Sequence, residues 1–196
     1  MPKTGMVKVQ TRTLKTRAKL IEAAQVVVDE AGYEALRVEQ VVASAGVAKG
    51  TFFAHFKDKD ALMEQLIGPK VDSYLDAIET LPAPKDVEGL VQALMPLVGF
   101  MTSERYVFDV ILRHSGAAAK ETIGPIAQNF QRTGMVLGPW LAMGPFRKDI
   151  SPELLADGVG AFLIQAMALH YCALHNEMLM QDQLRIYLNA WLMPQA

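Results

Sequence analysis

A single cysteine, Cys172, stands in the 196 residues of the chain, which excludes an intramolecular disulfide and leaves folding to a hydrophobic core that a chain of this length can bury. No uninterrupted apolar stretch is long enough to cross a membrane, and the N-terminal MPKTGMVKVQTRTLKTR is basic and polar where a secretory signal would be apolar. The expectation is a cytoplasmic protein without a membrane segment. Hairpin dipeptides between alternating apolar runs are missing, so strands are not expected. The chain also lacks a glycine-rich phosphate loop, a Gly-x-Ser-x-Gly and a His-Glu-x-x-His. Neither an enzyme nor a metal or organic cofactor is therefore expected. His170, Cys172 and His175 are close in sequence, but at about 100° per residue only Cys172 and His175 share a helix face, which is too few ligands for zinc.

What is present is a charge asymmetry. The formal net charge is only -2, yet residues 1–20 carry Lys3, Lys8, Arg12, Lys15, Arg17 and Lys19 with no acid. Up to residue 60 there are ten Lys and Arg against seven Asp and Glu; the remainder holds nine against fourteen. A basic head on an acidic body points to an anionic partner, with nucleic acid, a membrane surface or a merely solvated arm all open at this level.

Apolar residues recur at helical spacing throughout, so the fold class is all-α. Leu20, Ala24, Val27, Val28 and Ala31 line one face of a first helix, with Thr16 as its candidate N-cap and Gly32 as its stop. Residues 1–15 are then a basic arm. Val38 to Ser44 is a short apolar piece, Ala45-Gly46-Val47 a turn, and Ala48 to Phe56 a second short helix. Asp58 can cap a long helix reaching about Thr80, where Leu81-Pro82-Ala83-Pro84 closes it. Further helices are expected near 86–101, 104–114, 119–142, 152–176 and 180–192, with kinks at Pro96 and Pro125 and with Ser151 capping ahead of Pro152. This makes about nine helices.

The stretch from Val38 to Phe56 has a mechanical reading. Val41, Ala45, Val47 and Phe52 can bury against the first helix, and Gly46 supplies the left-handed backbone that lets two short helices meet steeply. The opposite face of the second helix is then free. It carries Lys49, Thr51, Ala54 and His55, small or polar groups of the kind that enter a major groove.

From Thr16 to about Leu66 the chain resembles the TetR family of transcription regulators. The resemblance rests on Thr16, Leu20-Ile21, Ala23-Ala24, Gly32-Tyr33, Ala45-Gly46-Val47, Gly50-Thr51, His55-Phe56 and Lys57-Asp58-Lys59-Asp60-Ala61-Leu62. It implies a three-helix DNA-binding head over residues 16–66, with the helix-turn-helix at about 38–57. It further implies a helical ligand-binding and dimerisation domain over 67–196, and a homodimer on double-stranded DNA, released by a small, largely apolar effector. By the resemblance, the DNA-binding residues would be Thr16, Arg37, Val38, Lys49, Gly50, Thr51, Phe53, Ala54, His55 and Lys59, with Lys59 anchoring the DNA backbone. Three positions depart from the family's pattern. Phe53 stands where a tyrosine is usual, Val42 where a small alanine is, and Arg37 where a Ser or Thr cap is. Arg37 could contact phosphate instead.

Two features of the body invite readings of their own. Leu154 to Cys172 is rich in glycine and alanine, and with Leu184, Ile186, Tyr187, Leu188, Trp191 and Leu192 it reads as a dimer interface or as a close intrachain helix contact. Met95, Phe100, Met101, Tyr106, Phe108, Met135, Trp140 and Met143 are adaptable apolar side chains that could line an effector pocket or simply form core. The candidate ligand-binding set is Met101, Tyr106, Phe108, Arg113, Trp140, Met143, Phe162 and Met167. Two rival classes remain: a helical protein-binding adaptor without DNA binding, which leaves the basic arm unexplained, and a small helical enzyme, for which no reactive constellation is found.

Overall fold

The computed structural model describes residues 4–115, 123–172, 174 and 177–193, and among these it has nine helices and no strand. They are α1 (Thr4–Ala31), α2 (Val38–Ala45), α3 (Lys49–His55), α4 (Lys59–Glu79), α5 (Val87–Met101), α6 (Arg105–Ser115), α7 (Pro125–Met143), α8 (Pro152–His170) and α9 (Met180–Leu192). The chain divides into two compact units at Ile67–Gly68.

In the N-terminal unit α1 packs on α2 and α2 on α3, with Leu20, Ala24, Val27 and Val28 of α1, Val41 and Ala45 of α2 and Phe52 of α3 all buried. Ala31 is exposed and Val47 only half-buried, so neither completes the expected stripe. Thr16 is not an N-cap. The helix already runs from Thr4, because Lys8, Gln10, Arg12, Leu14 and Lys15 all favour it, and Thr16 Oγ1 donates back to the Arg12 carbonyl at 3.0 Å. The described part of the basic arm is thus a continuation of α1.

α2 is preceded by extended Arg37 as its N-cap, whose backbone N–H donates to Gln40 Oε1 at 2.8 Å. It stops at Gly46, held at φ 63 and ψ 39, whose N–H returns to Ala43 O while Val47 N returns to Val42 O. This left-handed residue satisfies the last carbonyls and turns the chain into α3. Asp58 Oδ1 accepts from Ala61 N at 2.8 Å and opens α4.

In the C-terminal unit α5 to α9 pack around a leucine- and valine-rich core, α8 lying against both α7 and α9. Asp86 caps α5 and Ser151 caps α8 through their side-chain oxygens. Pro96 lies inside α5, and so do Pro69 in α4 and Pro139 in α7. Pro125 does not kink a helix from 119 but opens α7 at its first position after extended Gly124, since proline needs no amide partner there. Residues 119–122 lie outside the described residues. Helix α8 ends at His170 rather than 176, so Cys172 lies beyond it, and His175 falls outside the described residues.

Glycine sets two close approaches. A Cβ on Gly68 would meet Pro125 Cβ at 2.4 Å, and one on Gly158 would meet the Trp191 indole at 2.3 Å. Trp191 Nε1 donates to Leu155 O at 3.1 Å. Among the described residues one helix, Pro152–His170, is long and apolar enough to cross a membrane. Its Gly158 gives room to Trp191 of α9.

Candidate nucleic-acid interface and interior cavity

The recognition surface starts from α3, a helix of seven residues that cannot stand alone and is held by packing. Phe52 and Phe56 are its buried side, with Phe53 edge-on to Phe52 at 5.2 Å between centroids. Its outer side presents Lys49, Gly50, Phe53 and Ala54, while Thr51 and His55 are half-buried. Phe53 is 51% exposed although the core lies beside it. A Cβ built on Gly50 meets nothing within 4 Å, so nothing in the packing requires glycine there. Alanine would favour the helix by about 0.5–1 kcal/mol.

The end of α3 is fixed by a residue that charge counting registers only as one of the six cations of residues 1–20. Arg17 Nη1 donates to the His55 carbonyl at 2.8 Å, and its guanidinium lies 4.2 Å from the centre of the Phe56 ring. One group thus caps the C-terminus of α3, where a cation is favoured, and ties it to α1. A sequence signal existed: Arg17 precedes Leu20 by three and Ala24 by seven, which places it on the buried stripe of α1.

The other candidates fall into two places. Lys49 Nζ pairs with Glu39 Oε1 at 2.6 Å across the turn, both side chains being more than half exposed. That hydrogen bond is the main reason the Glu39 carboxyl sits below its usual range. Arg37 and Lys59 converge on one atom, the carbonyl oxygen of Glu34, at 2.7 and 3.1 Å. Two cations are thus gathered where α2 and α4 begin, and both helix N-termini add partial positive charge. Val38 is the half-buried first residue of α2, and Thr16 lies half-buried within α1.

The C-terminal unit contains a cavity of about 600 Å³, lined by Val71 of α4, Leu97 and Met101 of α5, Ile111 of α6, residues of α7 from Ile126 to Gly134, and residues of α8 from Ala156 to Met167. Of the eight residues expected to bind ligand, Met101 and Met167 line it. The other six do not, because the helix faces are rotated from what apolar content alone implies. Phe108 is buried and stacks on Tyr171, Trp140 is buried in the core, and Met143 is 74% exposed. Phe162 meets Tyr187 and Trp191 of α9. Tyr106 and Arg113 of α6 are also absent from the lining.

Gly134 and Gly160 line the cavity, and a Cβ on either would meet nothing within 4 Å, so they hold space open without a packing reason. Asn129, 4% exposed, lines it too. Beside it Arg132 turns away, its guanidinium held by Asp72, Asp76 and Glu79 on one face of α4. Among the described residues no group of three His, Cys, Asp or Glu could hold a metal ion.

Comparison with known proteins agrees with this geometry. Residues 20–66 match the family model of bacterial regulatory proteins, tetR family. The uncharacterized HTH-type transcriptional regulator YvdT of Bacillus subtilis is 30% identical over 101 residues, 51% of this chain and 52% of that one. The A-factor receptor protein of Streptomyces griseus is 24% identical over 152 residues, covering 74% of this chain and 50% of the receptor. The chain thus spans about half the length of these two curated relatives. Among solved structures, Thermus thermophilus FadR, a TetR-family transcriptional repressor in complex with lauroyl-CoA, superposes with a TM-score of 0.62 at 18% identity, covering 92% of this chain and 97% of that one. A complex of SmeT with triclosan gives 0.53 at 18%, covering 91% and 92%. At such identities the likeness is one of fold.

Proposed function

We propose, from the premise that this chain belongs to the tetR family of bacterial regulatory proteins through residues 20–66, that it is a sequence-specific DNA-binding transcription regulator, a repressor released from a palindromic operator by a small, largely apolar effector. The observation that carries the reading is α3 itself. Its buried side is fixed by Phe52, Phe56 and the Arg17 cap, while its outer side offers Lys49, Phe53 and Ala54, with Thr51 half-buried beside them, around a glycine that packing does not need. A major groove takes such a helix. Lys49 and Thr51 are the base-reading candidates; Arg37 and Lys59 hold phosphate; Phe53 offers a thymine methyl or sugar only apolar contact, since it has no hydroxyl.

A palindrome needs two copies. The outer surface of α8 and α9 carries exposed Leu154, Ile186 and Met193 beside the half-buried rings of Phe162, Tyr187 and Trp191. That surface supports a homodimer built on these two helices. The cavity supports the effector. Any ligand that favours a dimer with misaligned recognition helices releases DNA by the same coupling free energy with which DNA opposes the ligand.

Selection of the preferred duplex from a random pool tests the reading. An inverted repeat should emerge, with half-site centres about 34–36 Å apart or a neighbouring spacing. Affinity for it should fall steeply with salt. A pool that returns no enriched sequence, or binding indifferent to salt, overturns the proposal.

A further inference from the structure

The cavity of the C-terminal unit is lined mainly by apolar side chains, with Asn129, Gln131, Thr133 and Asp157 as its polar ones, and one of these is buried without a partner. Asn129 of α7 is almost wholly buried there, and neither its Oδ1 nor its Nδ2 has a hydrogen-bond partner among the described residues. Because both atoms are unpaired, exchanging the assignment of oxygen and nitrogen changes nothing: the wall offers one acceptor and one donor side by side. A buried amide that the protein itself does not pair calls for a partner from whatever occupies the cavity.

The charge of that partner is also readable. Among the described lining residues there is no lysine, arginine or histidine, and Asp157 of α8 is the sole charged one. The nearest cation in the sequence of α7, Arg132, is held by Asp72, Asp76 and Glu79 of α4. An anion entering the cavity would leave water without a counter-charge, which is strongly unfavourable.

We infer that the cavity takes an uncharged, mainly apolar molecule bearing one amide-like group, whose donor and acceptor pair with Asn129. The inference rests on the effector reading and sharpens it, setting this chain apart from a site built for a coenzyme A thioester or a free fatty acid. Gly134 and Gly160 provide the room for the apolar part, and Met101 and Met167 adapt to its shape.

The test uses the full chain and three probes with one alkyl chain: decanamide, methyl decanoate and decanoate. Affinity is read by calorimetry and by the rise in melting temperature. Decanamide should bind about tenfold or more tightly than decanoate, with the ester, which accepts but cannot donate, between them. Asn129→Leu should weaken decanamide about tenfold or more and leave the ester less affected. Asp157→Asn should narrow the gap between amide and carboxylate. Three probes binding equally, decanoate binding best, or Asn129→Leu leaving decanamide unchanged would each overturn the inference while the effector cavity stands. Failure of all three to bind would overturn the cavity as an effector site, and the inference with it.

Discussion

Replacing Arg17 by methionine keeps the aliphatic stem and removes only the guanidinium, so it isolates what that group does at the end of α3. The structure supplies the terms. A half-buried, charge-assisted hydrogen bond to the His55 carbonyl at 2.8 Å is lost, in the range of about 1.5–3 kcal/mol. The contact over the Phe56 ring at 4.2 Å goes with it, about 0.5–1 kcal/mol. Partial solvent access favours the low end of both, so the loss is about 2 kcal/mol. Seven residues of helix with no side-chain N-cap have little else to hold their C-terminus. The assay is native-state amide exchange in the DNA-free protein. The Phe56 amide, bonded to Phe52 O at 2.9 Å, should exchange about thirtyfold faster, at 1.4 kcal/mol per decade. Amides in α8 should keep their protection. Operator binding should weaken with an unchanged salt slope, because Arg17 holds the helix and touches no phosphate. Unaltered exchange at Phe56 would refute the cap, and a slope flatter by about one would show Arg17 to be a phosphate contact.

Other substitutions separate stability from recognition in different ways. Gly50→Ala should stabilise the N-terminal unit by up to about 1 kcal/mol in chemical denaturation while weakening operator binding by about 1–3 kcal/mol; a variant more stable and equally tight on DNA would remove the glycine from the interface. Glu39→Gln should free Lys49 and tighten duplex binding about two- to fivefold in an anisotropy titration. The sign comes from the carboxyl, which lies below its ordinary value of 4.5: the ion pair is complete above that value and is lost as pH falls through the lowered one. The advantage of the variant should therefore shrink in acid. Gly158→Ala should displace the Trp191 indole, shifting its N–H resonance but not that of Trp140, and lower stability by about 1–3 kcal/mol; an undisturbed Trp191 resonance would contradict the packing between α8 and α9.

Much of the N-terminal unit is legible from residues alone because its signals are local. Gly46 has to be a left-handed stop, Asp58 has to cap the long helix α4, and Phe52 and Phe56 have to turn inward if Lys49 and Ala54 turn out. The misreadings there share one cause. Residue preference puts a helix boundary at Thr16, yet a helix continues wherever its neighbours tolerate it, and a count of charges does not say that Arg17 turns inward. The eight candidate ligand residues divide for a related reason. Methionine and aromatic content marks apolar helices without specifying which face of each looks into the same space.

From the sequence by itself came the helical class, the helix-turn-helix with Lys49 and Ala54 turned outward, and the basic bias of the head, because caps, breakers and apolar period act within one or two turns. Tertiary structure alone decided that Arg17 closes the recognition helix from α1, that Arg37 and Lys59 share the Glu34 carbonyl, and that Asn129 lines a cavity with no hydrogen-bond partner for its side chain among the described residues. Each of these joins residues distant in the chain, or depends on how helices are rotated about their axes. That rotation is set by the packing of all of them together and by no single stretch.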